Sequence, residues 1–246
     1  MTASKVSIII PVRNERDTVV PLIERVRAVD CGMAKEIIVV DGASTDGTRE
    51  ALEAMASEDL VLVFEDAARG KGRAVRTGFT RATGDVVMVQ DADLELDPSE
   101  IPALLAPIVE GRTDVVFGSR FKGRGRGATP WVGYAGNTAL TWAANLLYLT
   151  RLTDILTCYK VMRADVARSL DLQCDGFDLD GEITCRLLRA GHEILELPVT
   201  YRPRGVDEGK KLSPGVGWSV LRAIVRVRFT PSRASAATTA SGSAVD

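Results

Sequence analysis

The sequence predicts an α/β domain with a mostly parallel central sheet covered by helices on both faces. Short β-branched apolar runs, VSIIIPV, EIIVV, LVLVF and VVMVQ, alternate with amphipathic segments whose apolar residues recur at helical spacing. The runs are almost continuously apolar, as strands buried on both faces must be. With 246 residues, 46% of them hydrophobic, the chain is long enough to bury such a sheet in one large domain or two small ones.

Taken in order, residues 6–12 read as the first strand, punctuated by Pro11. A helix follows with Asp17 or Thr18 as its cap, Pro21 tolerated in the first turn, and Val19, Leu22, Ile23, Val26 and Val29 on one face. Residues 36–40 make a second buried strand ending on Asp41, the turn-rich DGASTDGT leads to a helix over 48–57, and 60–64 is the third strand. A helix over 71–83 precedes a fourth strand over 85–90, closed by Asp91, Ala92 and Asp93. Beyond it come a helix over 101–110, a strand over 114–118 leading to Ser119 and Arg120, and the basic loop GRGRG at 123–127. Helices over 137–149 and 183–190, the second stopped by Gly191, and a strand over 193–201 follow.

In open sheets of this kind ligands bind beyond the carboxyl ends of the strands. Here those ends fall at 11–15, 41–46, 66–71 and 91–95, and every one is polar or charged. They converge on one crevice, which makes the first 95 residues or so a nucleotide-binding half.

Composition narrows the partners. The 31 basic and 33 acidic side chains nearly balance, which excludes a generally basic nucleic-acid binder and a strongly acidic disordered chain. Any anion site must therefore be local. Cys31, Cys158, Cys174 and Cys185 are scattered and His192 stands alone, which argues against a zinc site or a disulfide framework. The N-terminal apolar run is broken too soon, by Pro11, Arg13 and Glu15, for a signal peptide. The stretch 135–149 is interrupted by Asn137, Thr138, Thr141 and Asn145, short of the roughly 20 apolar residues a bilayer span needs. The expectation is a cytoplasmic, reduced chain that does not cross a membrane.

Three segments carry chemistry. Asp91 and Asp93 stand two apart directly after a buried strand, where a pair of carboxylates can hold a hard divalent cation on a diphosphate, with Glu95 as a third oxygen ligand. The competing reading is a solvated acidic turn capping the next helix. In DGASTDGT, Gly42 and Gly47 permit a tight backbone, Asp41 can accept hydrogen bonds from a base or ribose, and Asp46 with Thr48 caps the following helix. In Arg69-Gly70-Lys71-Gly72 a lysine between glycines opens a helix, where its ammonium and backbone N–H groups could meet phosphate.

These segments together carry a resemblance. The ordered set SIIIPVRNE, VVDGASTDGT, GKGRAVRTG, GDVVMVQDADLE and DVVFGSRF is similar to the family 2 inverting glycosyltransferases. LTDILTCYKVMR, GFDLDGEI and YRPRGVDEGKKL resemble the dolichyl-phosphate mannose and glucose synthase group, and the match spreads over residues 4–212. The resemblance implies a GT-A nucleotide-sugar fold, Rossmann-like, in which Pro11, Asn14 and Glu15 border the base and ribose and Asp41 reads the nucleoside. It implies that Lys71 and Asp91 contact a UDP- or GDP-sugar, and that Asp93, with Asp91 and Glu95, holds Mg2+ or Mn2+ on the diphosphate. The metal would offset charge building on the leaving group while the anomeric carbon is attacked from the opposite face. Arg120 matches a position that binds the acceptor phosphate, and Arg202, Arg204, Lys210 and Lys211 lie on a segment that closes over the phosphates. The expected organisation is one domain over 1–229, with a donor half at 4–95, an acceptor half at 96–212, an amphipathic helix at 213–229, and a disordered tail at 230–246.

The chain departs from the family pattern twice. Asp41-Gly42-Ala43-Ser44 stands where many members read DDGS, so one nucleoside-side carboxylate is missing. No arginine follows Trp131 within 132–137, where polyprenyl-phosphate users carry one, which leaves a soluble hydroxyl-bearing acceptor open beside a lipid phosphate. A phosphate acceptor is already anionic and needs no general base, whereas a hydroxyl needs a carboxylate within about 2.6–3.2 Å of its proton. Asp178, Asp180 and Glu182 are the candidates, on one edge if that stretch is extended, with Asp180 taken as catalytic; the alternative is an acidic loop capping the helix at Ile183. A nucleotidyltransferase and a non-catalytic nucleotide-sugar binder remain competing readings. Cys158 reads as a packed small residue and His192 as a surface histidine. The basic amphipathic stretch 218–229 can rest on an anionic membrane, pack back on the domain, or meet a second subunit.

Overall fold

The computed structural model describes residues 3–123, 127, 129–204 and 214–230. The chain alternates β1 (Lys5–Val12), α1 (Arg16–Ala28), β2 (Ala34–Asp41), α2 (Thr48–Glu53), β3 (Leu60–Phe64), α3 (Lys71–Arg81) and β4 (Val86–Val89). It continues through α4 (Ile101–Val109), β5 (Val115–Ser119), α5 (Trp131–Tyr148), β6 (Lys160–Arg163), α6 (Ala164–Ser169), α7 (Leu179–Arg189), β7 (Leu195–Pro198) and α8 (Pro214–Phe229). One seven-stranded sheet runs β3-β2-β1-β4-β6-β5-β7. Among the described strands β6 alone opposes its neighbours, pairing antiparallel with β4 and β5, while β1 pairs in parallel with both β2 and β4. β4 and β5 are buried at every residue, and β1 and β2 at all but their first one or two, as a sheet covered on both faces requires.

Several boundaries differ from the sequence reading, each for a local reason. Helix α1 starts at Arg16 with Glu15 at its N-cap, so Pro21 falls in the second turn rather than the first. Helix α2 stops at Glu53, because Ser57 bridges to Leu60 and turns the chain straight into β3. Helix α5 begins at Trp131, six residues before the apolar periodicity suggests, with Pro130 at its N-cap. Helix α7 begins at Leu179, so Asp180 and Glu182 lie in a helical first turn and not on an extended edge. Strand β6 and helix α6 were not read from the sequence at all, since Lys160 and Arg163 bracket a strand of only four residues.

The amphipathic stretch forms α8, and its apolar stripe packs back on the domain. Val220, Ile224 and Val227 are buried with Ala144 of α5 and Cys185 of α7 in a second apolar cluster beside the main core. Arg228 donates to the Leu147 carbonyl and Tyr148 to that of Ile224, which fastens α8 to the end of α5. Among the described residues no helix is long and apolar enough to cross a membrane. Lys210, Lys211, Arg124, Arg126 and the tail expected beyond Thr230 lie outside the described residues.

Candidate functional site

The carboxyl ends of β1, β2 and β4 carry three of the four described non-glycine residues at positive φ: Asn14 (54°), Ala43 (57°) and Leu94 (60°). Each costs about 1–2 kcal/mol in an L-residue, strain of the kind that gathers where loops must present groups to a ligand. Side chains lock the loops together. Asn14 accepts from the Thr45 N–H at 2.9 Å, Ser44 Oγ accepts from the Asn14 N–H at 2.9 Å, and Thr48 Oγ1 accepts from the Glu15 N–H at 3.0 Å. Asp46 accepts from the Thr48 N–H at 3.0 Å one residue ahead of Gly47, which takes the N-cap position of α2 expected for Asp46.

Asp41 closes β2 and is fully buried; one oxygen takes the Ser44 N–H at 3.2 Å and the other, Oδ1, has no partner. Glu65, directly after β3, carries the second such orphan among the described residues, Oε2, and its N–H bonds the Asp41 carbonyl at 2.9 Å. A buried acceptor without a donor is costly, by about 1–3 kcal/mol, and marks a place where ligand N–H or O–H groups would be welcome.

Beyond β4 four charges alternate in sign. Lys71 Nζ lies 2.8 Å from Asp91 Oδ1 and 3.4 Å from Asp180 Oδ2, and Lys160 Nζ lies 3.0 Å from Asp180 Oδ1. Lys160 is wholly buried, over the ring of Phe117, and also donates to the Thr157 carbonyl. Burial alone would lower the Lys71 pKa, but Asp180 and Asp91 hold it well above the usual lysine value. Burial works against ionised Asp180 as well, and Lys160 and Lys71 overcome it and keep that carboxyl below the usual range. Burial, then the charge of Asp91, raises the Cys158 thiol well above its ordinary value, which removes it as a nucleophile.

Backbone contact brings the two halves of this row together. Gly70 has φ 105°, and a Cβ there would collide with the Asp175 carbonyl oxygen; a Cβ at Gly72 would meet the Cys174 carbonyl oxygen at 2.6 Å. The glycines flanking Lys71 thus let the start of α3 approach the 174–176 segment, just ahead of α7, and Arg73 seals the approach with an N–H to the Asp175 carbonyl at 3.1 Å.

The three carboxylates of the 91–95 loop do not form one cluster. Glu95 turns away, its Oε2 accepting from the Tyr201 hydroxyl at 2.8 Å and its Oε1 from the Arg204 N–H at 2.8 Å. Arg204 in turn pairs with Glu15 at 2.8 Å and donates to the Asp93 carbonyl at 2.9 Å. Glu95, expected as a metal ligand, is a clamp that holds 201–204 against the loop, and no group of three metal-ligating side chains exists among the described residues. Asp93 keeps one oxygen on the Glu95 N–H at 3.1 Å; burial, then the charges of Asp91 and Glu95, pushes its carboxyl up to about 7. Asp91 and Asp93 therefore fit a divalent cation as a partial set, of the kind Mg2+ uses when one or two carboxylates are completed by substrate phosphates.

Just past β5, Arg120 forks onto Asp154, Nε to Oδ2 at 2.7 Å and Nη2 to Oδ1 at 2.8 Å, with the Tyr201 ring 5.2 Å from its guanidinium carbon. Asp154 is fully buried and also takes the Asn137 amide at 2.6 Å, which ties Arg120 to α5. Arg202 is exposed and Pro11 is buried within β1. Glu182 is not available for proton transfer: it is buried and accepts from the N–H groups of Cys174 (2.7 Å) and Gln173 (2.9 Å) and from Arg186 (3.0 Å). Asp178 stands at the N-cap of α7, and His192 follows the far end of that helix. Sequence reasoning missed Lys160, Asp154 and Glu65. The one available signal was a lysine inside the otherwise apolar run CYKVM.

Residues 7–170 match the family model described as Glycosyl transferase family 2. The undecaprenyl-phosphate mannosyltransferase of Micrococcus luteus is 31% identical over 230 residues, covering 88% of this chain and 91% of that protein. The low-salt glycan biosynthesis hexosyltransferase Agl6 of Haloferax volcanii is 30% identical over 224 residues, 89% of this chain and 53% of that protein. The dolichol-phosphate mannosyltransferase of Pyrococcus furiosus is 32% identical over 212 residues, 84% and 59% respectively, so the chain spans little more than half of these last two. In structure, glucosyl-3-phosphoglycerate synthase from Mycobacterium tuberculosis, in complex with Mn2+, UDP and phosphoglyceric acid, superposes with a TM-score of 0.72 at 21% identity over 94% of this chain and 80% of that one. That likeness is one of fold.

Proposed function

The chain belongs to glycosyl transferase family 2 and has its GT-A fold, and from that premise we propose that it moves a sugar, with inversion, from a UDP- or GDP-sugar to a polyprenyl phosphate. The observation that carries this reading is the charge row beyond β4, where each carboxylate is paired with a lysine and none is left as a free base. Asp180, the carboxylate best placed to deprotonate a hydroxyl, is held between Lys71 and Lys160. A phosphate monoester needs no such help, because its oxygen is anionic at neutral pH. The names of the Micrococcus and Pyrococcus relatives point the same way.

Each group then has a task. Asp41 and Glu65 offer their unpartnered oxygens to N–H and O–H donors of the nucleoside. Asp91 and Asp93 would hold Mg2+ or Mn2+, which when bound offsets the charge developing on the departing diphosphate. Lys71 adds a cation on the donor side. Arg120, oriented by Asp154, meets the acceptor phosphate. One acceptor oxygen bonds to the anomeric carbon as the bond to the nucleoside diphosphate breaks on the opposite face, and no proton has to move. The clamp made by Glu95, Tyr201 and Arg204 holds 201–204 against the 91–95 loop, where it would limit access of water to the donor.

A lipid acceptor requires contact with a membrane, and two helices carry residues that suit it. All three tryptophans of the chain lie on α5 and α8 and are exposed: Trp131 and Trp142 by 67% and Trp218 by 70%. No acidic residue occurs between Asp114 and Asp154, a stretch that carries Arg120, Lys122, Arg124, Arg126 and Arg151. Exposed tryptophans and a stretch of sequence free of acidic residues fit an anionic bilayer surface. The expected localisation is peripheral, at the cytoplasmic face.

The test is nucleoside diphosphate release from a panel of UDP- and GDP-sugars with undecaprenyl phosphate and Mn2+. The reading expects release that stops with EDTA or Asp93→Ala. Pyrophosphate release would point to a nucleotidyltransferase instead, and turnover with hydroxyl acceptors alone would overturn the lipid-phosphate assignment.

A further inference from the structure

Lys71 Nζ lies nearer to Asp91, at 2.8 Å, than to Asp180, at 3.4 Å, and Asp180 is already answered by Lys160 at 3.0 Å. The ammonium therefore sits on one of the two carboxylates left for a divalent cation once Glu95 is committed to Tyr201 and Arg204. We infer that Lys71 is a built-in counter-ion of Asp91, competing with the divalent cation for that carboxylate, so that metal binds well only when a diphosphate draws Lys71 away.

This rests on the donor and metal reading above and goes beyond it, because it makes metal and nucleotide binding interdependent through a named side chain. A cation held by Asp91 would face the Lys71 ammonium across a single carboxylate. Asp91 cannot satisfy both at full strength. The row of charges also provides the other half of the exchange. Asp180 stays within reach of Lys71 after it leaves Asp91, held in place by the buried Lys160, and a diphosphate gives the ammonium a new anionic partner on the donor side. Among the described residues the Asp93 carboxylate forms no ion pair like that of Lys71 with Asp91, although the Arg204 guanidinium lies close by on the Asp93 carbonyl. The metal-free site is thus electrically closed at Asp91 and open at Asp93.

The test is Mn2+ binding to the full chain without any sugar donor, followed by the spin-resonance signal of free Mn2+, for wild type, Lys71→Gln and Lys71→Arg, with thermal melts to confirm folding. An opposite charge at this distance shifts a carboxylate's equilibrium with a competing cation by about tenfold to a thousandfold, so Lys71→Gln should bind Mn2+ alone at least about tenfold more tightly than wild type. Lys71→Arg, which keeps the charge, should stay close to wild type. Adding UDP or GDP should tighten Mn2+ binding more in wild type than in Lys71→Gln. If Lys71→Gln binds Mn2+ no better than wild type, or if Lys71→Arg gains as much, the counter-ion role is wrong while the proposed function stands. If none of the three takes up Mn2+ even with UDP or GDP, the metal-dependent function itself fails, and this inference with it.

Discussion

Two segments of this chain write nearly the same thing. DADLE after β4 and DLDGE at the start of α7 each set acidic side chains two residues apart, and both were candidates for chemistry. In the loop, which carries left-handed Leu94, burial and then the charges of Asp91 and Glu95 push the Asp93 carboxyl up to about 7. In α7 the same spacing lies on a helix, where residues two apart do not share a face. Asp180 turns to Lys71 and Lys160, Glu182 to Arg186 and to the N–H groups of 173 and 174, and both carboxyls are held below their usual range. What separates a carboxylate free for a ligand from one holding the fold is whether the fold has already supplied its counter-charge.

The largest effect that would break this comparison is functional. Asp93→Asn should lower sugar transfer by at least about 100-fold, in line with loss of a group that stabilises charge at the transition state, with the melting temperature unchanged or raised. A fall in melting temperature with activity retained would put Asp93 in the same class as Glu182. Next, Glu182→Ala should destabilise the chain by about 3 kcal/mol in denaturant titration, since it strands two backbone N–H groups and removes the carboxylate that Arg186 and Arg226 share. A loss under about 1 kcal/mol would mean that solvent replaces those bonds.

The pH dependence sharpens the contrast. Burial raises the pKa of Glu182, but its N–H and arginine partners win and lower it from 4.5. Its contribution is therefore fully present above the unfolded value and lost as pH falls below it. Wild type should lose stability more steeply than Glu182→Gln between about pH 5 and pH 3, read from melting temperature against pH. Parallel curves would contradict the assignment. The smallest effect expected is at the clamp. Glu95→Gln keeps one acceptor oxygen for Tyr201 or the Arg204 N–H, and activity should fall only a few-fold, far less than for Asp93→Asn; an equal loss would restore Glu95 as a ligand.

Much of this was legible in the sequence because it depends on local pattern. The strands β1 to β4 and the placement of Asp41, Lys71, Asp91 and Asp93 at strand ends follow from apolar runs and the residues that stop them. The rest depends on contacts across long separations. Lys160 is buried only because β6 slots antiparallel between β4 and β5, and nothing near Asp154 in sequence announces Arg120, 34 residues away. Glu95 looked equal to Asp93 because spacing does not reveal that Tyr201 and Arg204 reach it from more than 100 residues along the chain. The lysine between glycines at a helix start suggests that its ammonium and backbone N–H groups meet phosphate, but no local pattern shows that the same glycines admit the backbone of 174–176.

The central claim, metal-dependent transfer from a nucleotide sugar to a phosphate acceptor, is tested most directly by the products from undecaprenyl phosphate, Mn2+ and a panel of UDP- and GDP-sugars. The account predicts a glycosyl phosphate lipid whose anomeric configuration is opposite to the donor's, formed one for one with nucleoside diphosphate, and lost with EDTA. A lipid product of retained configuration, or one formed at full rate in EDTA, would contradict it.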